Sequence, residues 1–285
     1  MKIGIGLPNQ VRDVPPAVVP AWAAQAERAG FSSLGSVGRL SYPGVLDTVA
    51  LAAAAGATRT IGLISSIMIG AVWPPVLLAK EVAGIDGVSG GRFTLGLGLG
   101  GRTDDFLSED ANPRGRAARM ESDIEEYRRI WRGETPPGAA SPLVPAGTRA
   151  DIPILLGGQN PKAYRRAARI ADGFIGASTG PAAVAEGFEA VRTAWREVGR
   201  AGSPRLMALA YYAIGDPDTG RANVYAYYSS GGEEMASAAA AGVNCGADAI
   251  GSTVRAFAGI GTDELLLVPT LADPGEVARL ADAVL

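Results

Sequence analysis

The 285-residue sequence contains no histidine at all. This absence excludes a histidine general base, a histidine metal ligand and a Ser-His-Asp triad. Any chemistry must therefore come from carboxylates, arginine, lysine, tyrosine, serine, cysteine or a bound cofactor. We expect no metal site.

Other scarcities narrow the class of protein further. The single cysteine, Cys245, cannot form an internal disulfide, which fits a reducing compartment. The net charge of −3 argues against a basic surface that follows nucleic-acid phosphates. The longest apolar stretch, 61–79, is interrupted by two serines and two prolines, so it predicts a strand followed by a helix and not a membrane span. The first residues carry no cleavable apolar segment. We therefore expect a soluble cytoplasmic protein that binds neither nucleic acid nor a membrane.

Short apolar runs and longer amphipathic segments alternate along the chain. Hydrophobic residues make up 47% of it and charged residues 19%, which is typical of a globular protein. The alternation predicts a parallel α/β fold. Eight units of about 35 residues, with no shift in composition, favour one closed (β/α)8 TIM barrel with short insertions over an open sheet. We expect a single domain over 1–285, with eight strands at 2–8, 31–37, 61–70, 92–100, 152–158, 174–178, 205–215 and 264–270.

In such a barrel the active site lies at the carboxyl ends of the strands. Two neighbouring strand ends carry glycine and hydroxyl residues immediately before a predicted helix, in "LLGGQNPKA" and "IGASTGP". Free backbone N–H groups at a helix N-terminus form an anion site, so together these loops predict a phosphate site. For either loop alone, glycines that only make a tight turn explain the pattern equally well. The candidate phosphate residues are Gly157, Gly158, Gln159, Asn160, Ala177, Ser178 and Thr179.

Three residue types at other strand ends are candidates for the chemistry. Arg39, Arg102 and Asp104 would surround the substrate entrance, although ordinary surface charge explains the two arginines equally well. Tyr211 and Tyr212 are adjacent, so only one of them faces the barrel interior. We select Tyr211 as a proton donor or stacking residue. The glycines of "GLGLGG" lie within a strand, so they are a weak dinucleotide motif and more often mark a close approach by another backbone or a flat ligand.

Several long blocks resemble the bacterial luciferase-like superfamily of flavin- and coenzyme F-420-dependent oxidoreductases. The most specific are "SGGRFTLGLGLG" and "GGQNPKAYRRAARIADG", and the blocks follow one another in the family's order over nearly the whole chain. The resemblance implies a luciferase-like TIM barrel with a flavin or deazaflavin across its mouth and the phosphate on the two loops named above. It also implies a non-proline cis peptide at Ser66–Ile67 that forms a bulge behind the ring, with Ser65 beginning the part that faces the mouth. Asn9, Gly98, Gly100 and Asp104 match positions near the ring or its polyol chain.

The chain also departs from this family's pattern. Gly38-Arg39 stands where members that use F-420 often place Asp-His, and Gly101 stands where many carry Glu. The insertion that covers the mouth in some branches has shrunk to residues 136–151, which implies an open pocket that admits bulky substrates.

Three functions are compatible with these residues. The first is a monooxygenase-type oxidoreductase that uses reduced FMN and O2 on a small organic substrate, with a separate flavin reductase. The second is an F-420-dependent reductase or dehydrogenase that transfers a hydride without O2, and the third is a flavin-binding protein without catalysis. The resemblance further implies a homodimer formed through the predicted helices 45–58 and 74–88.

Overall fold

The structure is a computed structural model that describes residues 1–109 and 111–285. Its strands are β1 (Lys2–Gly6), β2 (Ser33–Ser36), β3 (Gly62–Ser65), β4 (Met68–Ile69), β5 (Phe93–Gly98), β6 (Ile154–Gly157), β7 (Gly173–Gly176), β8 (Arg205–Ala213), β9 (Asn244–Cys245) and β10 (Glu264–Pro269). Its helices are α1 (Val18–Ala29), α2 (Asp47–Ala57), α3 (Pro75–Ser89), α4 (Asp104–Leu107), α5 (Arg116–Trp131), α6 (Pro161–Ile170), α7 (Pro181–Glu197), α8 (Pro217–Tyr228), α9 (Glu233–Ala241), α10 (Ala247–Gly259) and α11 (Gly275–Val284).

The main strands form a closed parallel barrel in the order β1, β2, β3, β5, β6, β7, β8 and β10. Strand β10 pairs with β8 on one side and with β1 on the other, where Lys2 lies beside Glu264. The short strands β4 and β9 add to β5 and β8. The predicted (β/α)8 TIM barrel is therefore confirmed.

Most of the strands are shorter than predicted, and one of the predicted strands is divided. The predicted strand 61–70 stops at Ser65 and resumes at Met68, so it is divided into β3 and β4. Helix α1 begins at Val18, after turns in which the carbonyls of Pro15 and Pro16 accept hydrogen bonds from the N–H groups of Val18 and Val19.

The apolar core has an inner part within the barrel and an outer part between the barrel and the helices. Strand β8 shows the alternation clearly, since Tyr211 packs in the inner cluster with Leu209 and Tyr212 packs in the outer cluster. The inward direction predicted for Tyr211 is the observed one. Among the described residues, no helix combines the length and the apolar character needed to cross a membrane.

Residues 136–151 lie far from the barrel mouth. Arg149 pairs with Asp86 of α3 at 2.6 Å and donates a hydrogen bond to the carbonyl of Phe93, at the start of β5. This places the segment at the amino ends of the strands, where a connection from a helix to the next strand must return. The expectation that it is the remnant of a lid over the mouth is wrong for this reason. The residues near the mouth come instead from the connection between β5 and α5 and from the end of α8.

Candidate cofactor and active site

The loops after β6 and β7 present unpaired backbone donors beside each other. Within the described residues, the N–H groups of Gly158, Gln159, Thr179 and Gly180 donate no hydrogen bond to the protein. Each loop leads into a helix that begins with a proline: α6 at Pro161 and α7 at Pro181. Asn160 caps α6 by accepting from the N–H of Ala163 at 3.0 Å. These two helix starts therefore offer free donors and the positive end of two helix dipoles to an anion.

The other predicted members of these loops differ in accessibility. Gln159 and Thr179 are exposed, while Ala177 and Ser178 are partly buried. Because the loops follow the neighbouring strands β6 and β7, all seven predicted phosphate residues lie at one edge of the mouth.

The residues between β3 and β4 form the floor beside these loops. The Ser66–Ile67 peptide bond is cis, as the resemblance implies. Ser65 exchanges two hydrogen bonds of 2.9 Å with the backbone of Gly96, and the Ser66 hydroxyl donates to the carbonyl of Ser36 at 2.8 Å. Both serine hydroxyls are therefore used by neighbouring strands, and the side chain that remains partly exposed here is Ile67.

Glycines in β5 and β6 make room for Ile67. A Cβ atom added to Gly98 would lie 2.3 Å from Cδ1 of Ile67, and one added to Gly157 would lie 2.5 Å from the same atom. The close approach predicted for the strand glycines is by another backbone at Gly96, where a Cβ would lie 2.0 Å from the carbonyl oxygen of Ser65, and by a side chain at Gly98. Gly100 packs differently, because its Cβ would meet Ile69 at 2.7 Å and Phe106 at 3.1 Å.

Asn9 is buried and its amide is used by the protein. It donates to the carbonyls of Val37 and Val45, both at 3.0 Å, and accepts from the N–H of Val37 at 3.2 Å. Its observed role is to join the loops after β1 and β2. A direct cofactor contact, expected from the resemblance, would have to compete with these three bonds.

Three hydroxyl groups connect the phosphate-loop edge to the barrel interior. The Tyr228 hydroxyl lies 3.4 Å from that of Ser178 and 3.2 Å from that of Tyr211. Burial raises the pKa of Tyr211 well above its usual value, so its hydroxyl stays protonated at neutral pH. Tyr228 lies in helix α8 and not at the end of a predicted strand, so the search for candidates at strand ends did not identify it.

Arg102 lies against the tyrosines at the end of α8. Its guanidinium carbon is 4.8 Å from the ring centre of Tyr227 and 4.6 Å from that of Tyr228. Its Nε atom is buried without a hydrogen-bond partner among the described residues. Arg102 therefore holds the α8 tyrosines through cation–π contacts.

Arg39 is buried, so the interpretation as ordinary surface charge is wrong for it. It pairs with Asp104 and with Asp105, at 3.3 Å for the latter, and donates to the carbonyl of Tyr227 at 3.2 Å. Asp105 is fully buried and also accepts from the N–H groups of Leu40 and Ser41. Arg39 and Asp104, predicted to surround the entrance, thus belong to an ion-pair network with Asp105, which was not among the predicted site residues.

The pKa values of two carboxyl groups, Asp104 and Asp47, are shifted in opposite directions. Burial raises the pKa of Asp104, but the hydrogen bond and charge of Arg39 outweigh it and hold the pKa below its usual range. Burial raises the pKa of Asp47 to about 6, against the lowering by its 2.6 Å hydrogen bond from Ser36. Asp47 begins α2 directly behind Gly38, where a Cβ would lie 2.4 Å from its Oδ2. Asp47 was not among the predicted site residues. Within residues 1–109 and 111–285, no group of three His, Cys, Asp or Glu side chains could hold a metal ion.

Comparison with known proteins supplies a family for this arrangement. A family model described as luciferase-like monooxygenase matches residues 1–266. The chain spans 62% of the length of the first curated relatives it matches, which are uncharacterized mycobacterial proteins 29% identical to it over 177 residues. A putative coenzyme F-420-dependent oxidoreductase of Mycobacterium tuberculosis is 30% identical over 198 residues, which cover 61% of this chain and 55% of that protein.

Solved structures share the fold over the full chain. An F-420-dependent secondary alcohol dehydrogenase, in complex with an F-420-acetone adduct, has a TM-score of 0.82 at 15% identity and covers 99% of this chain and 98% of its own. The oxygenating constituent of 3,6-diketocamphane monooxygenase from Pseudomonas putida, in complex with FMN, has a TM-score of 0.74 at 15% identity and covers 100% and 99%. The neighbours therefore include users of either cofactor.

Proposed function

The chain belongs to the luciferase-like monooxygenase family, and from this membership we propose that it is an oxidoreductase that binds a flavin-type cofactor at the barrel mouth. The observation that carries the proposal is the pair of adjacent loops with free N–H donors at the starts of α6 and α7. Both FMN and F-420 carry a phosphate that such a site fits. The bound cofactor would supply the redox chemistry, as a hydride carrier or, when reduced, as the group that activates O2.

The chain's own residues would position the cofactor and exclude water. Gly158, Gln159, Ser178 and Thr179 would hold the phosphate, and Ile67 would give the ring an apolar support. On the other side, Arg102 would keep Tyr228 in place, so that the hydroxyls of Tyr228 and Tyr211 can donate hydrogen bonds to oxygen atoms at the reacting centre.

We propose reduced FMN and O2 as the reactants, because the side chains that the described part of the chain places at the mouth are hydroxyl donors and carboxylates paired with Arg39. Oxidation of an alcohol by hydride transfer needs a group that accepts the hydroxyl proton. Burial raises the pKa values of Tyr211 and Tyr227, so both remain protonated. The carboxylates Asp104 and Asp105 are paired with Arg39. This set of donors suits an oxygenation better than an alcohol oxidation.

Anaerobic titration of the purified protein with FMN, riboflavin and F-420 tests the proposal. FMN is expected to bind more tightly than riboflavin, which lacks the phosphate. Thr179→Glu should weaken FMN binding by repulsion and leave riboflavin binding unchanged, while Ser203→Glu, at an exposed position at the opposite end of the barrel, should change neither. Equal binding of FMN to wild type and Thr179→Glu would contradict the phosphate site, and absence of binding by all three would contradict the function.

The second candidate function is F-420-dependent hydride transfer without O2, favoured by the 30% identical mycobacterial relative. Binding and reduction of F-420, with no consumption of O2 by the FMN-loaded protein, would establish it over the first. The first candidate also requires a separate reductase that supplies reduced FMN. A non-catalytic flavin-binding protein would bind FMN and give no substrate-dependent reoxidation.

We further propose a homodimer and a cytoplasmic location. Val49 of α2 and Leu77 and Val88 of α3 are 59%, 46% and 63% exposed, which supports an apolar contact surface on these helices. Light scattering at several concentrations measures the mass directly, and a monomer under all conditions would contradict the dimer.

A further inference from the structure

A small cavity at the barrel mouth lies apart from the phosphate loops. It has a volume of about 30 Å³ and lies among the carboxyl ends of β1, β2, β8 and β10 and one face of α8. Such a volume admits a water molecule or one small chemical group, and not a whole organic substrate. Its lining is mainly apolar, with valines from four different segments: Val11, Val37, Val224 and Val268.

Gln10 is one of the residues that line this cavity, and its side-chain amide is buried. Both its nitrogen and its oxygen are out of contact with solvent and make no hydrogen bond within the described residues. Gly44 leaves room for it, since a Cβ there would lie 2.6 Å from the Gln10 oxygen. A buried amide without hydrogen bonds is unfavourable, so a ligand or water that pairs with it is expected. The neighbouring Asn9 and Asn223 differ, because their side-chain amides donate hydrogen bonds to backbone carbonyls.

The surroundings favour an uncharged ligand. No lining residue carries a charge at neutral pH, because burial raises the pKa values of Tyr211 and Tyr227. Neither Arg39, which pairs with Asp104 and Asp105, nor Arg102, which packs against the rings of Tyr227 and Tyr228, lines the cavity. A carboxylate or ammonium group in the cavity would lose its hydration without gaining a counter-ion.

We infer that this cavity is the recognition site for one end of the substrate, and that Gln10 is the group that selects it. The substrate class is a neutral molecule with a carbonyl or hydroxyl group next to a short alkyl group, in which the oxygen pairs with the Gln10 amide and the alkyl group contacts the valines. The cavity adjoins the redox site through Tyr211, whose ring lines it and whose hydroxyl meets that of Tyr228. The inference concerns the substrate of the proposed oxidoreductase and rests on that function for its biological meaning.

Saturation-transfer NMR on the full chain with FMN added tests this site with defined probes: 2-pentanone, 2-pentanol and pentanoate. The two neutral probes should bind and pentanoate should bind more weakly or not at all. Gln10→Met keeps the size and removes the hydrogen bonds, and should weaken 2-pentanone binding about tenfold, the effect of one hydrogen bond. Gln25→Met, in α1 on the outside of the barrel, is the matched control and should bind the probes like wild type.

Thermal stability separates recognition from a structural role. The melting temperature of Gln10→Met should not fall, because the substitution removes an unpaired amide from an apolar site. Gln10→Glu, of equal size, provides a second variant and should lose 2-pentanone binding at neutral pH. Unchanged ketone binding in both variants, tighter binding of pentanoate, or no binding of any neutral probe would overturn the inference. When the same samples are titrated with FMN, riboflavin and F-420, ketone binding that depends on Gln10 without binding of any of the three would refute the proposed function and leave the cavity assignment intact.

Discussion

Asp47 is the residue whose protonation should be visible in the stability of the protein. Burial raises its pKa from the usual 3.8 to about 6 in the folded chain. The folded state therefore binds the proton more tightly, so this residue's contribution to stability is full below pH 4 and is lost as the pH rises to about 6. The loss is on the order of 3 kcal/mol, from about 1.4 kcal/mol per pKa unit.

Asp47→Asn removes that titration and keeps an acceptor for the Ser36 hydroxyl. At pH 7.5 the variant should match or exceed wild type in free energy of unfolding, and the advantage should disappear at pH 4.5. Urea denaturation of both proteins at the two pH values measures this. A variant less stable than wild type by the same amount at both values would show that the buried carboxylate is ionised and stabilised in the folded chain.

Tyr228 was not predicted from the sequence, and the structure adds it to the site. If its hydroxyl donates to the reacting centre, Tyr228→Phe should lower kcat by about 100-fold, the lower range for a general acid. FMN binding should stay within a few-fold, since the ring and its contact with Arg102 remain. Tyr225→Phe is the control, because Tyr225 lies one turn earlier in α8 and is partly exposed. Turnover of the neutral probe that binds best is the measurement, and an unchanged kcat would remove Tyr228 from the chemistry.

At the scale of elements, the segment between β3 and β4 packs against β6 through the close contact of Ile67 with Gly157. Gly157→Ala should destabilise the fold by about 1–3 kcal/mol, because the added methyl group overlaps Cδ1 of Ile67. Ile67→Val removes that atom, so the double variant should recover most of the loss. Gly56→Ala, in α2 with open space around it, should be neutral or slightly stabilising. Equal destabilisation with and without Ile67→Val, by thermal or chemical unfolding, would contradict this packing.

The elements also show what the sequence could and could not predict. Apolar runs separated by amphipathic segments predicted the barrel strands, because a strand that is buried on both faces has a continuous apolar sequence. Within β8, the alternation of side-chain direction supported the prediction that Tyr211 points inward. The break after Ser65 was not predicted from composition, because two serines within an apolar run are also compatible with one continuous strand; only the resemblance indicated it. The pairing of Arg39 with Asp105 and the approach of Tyr228 to Ser178 join residues 66 and 50 positions apart. Such contacts depend on how separate loops fold over the mouth, which no local pattern encodes.

At the scale of the whole molecule, Arg39 joins three parts of the chain across the mouth: the loop after β2, helix α4 after β5, and the end of α8. These segments hold the site together without the segment 136–151, which lies at the other end of the barrel. The position of the Tyr227–Tyr228 pair should therefore depend on Arg39, through its hydrogen bond to the Tyr227 carbonyl, as well as on the ring contacts of Arg102. Loss of the Arg39 guanidinium should affect both stability and the site.

Arg39→Met should lower the free energy of unfolding by about 3–5 kcal/mol, because it leaves the charge of Asp105 buried without its partner. Arg39→Met combined with Asp105→Asn should recover part of that loss, since the unpaired charge is then gone. Arg12→Met, an exposed arginine of the β1–α1 loop, should change stability by less than about 0.5 kcal/mol. Urea unfolding gives all three values, and quenching of tyrosine fluorescence by iodide reports whether the α8 end has become accessible. If Arg39→Met were as stable as Arg12→Met, the network would be a surface feature and the mouth would be held by the apolar packing of α8 alone.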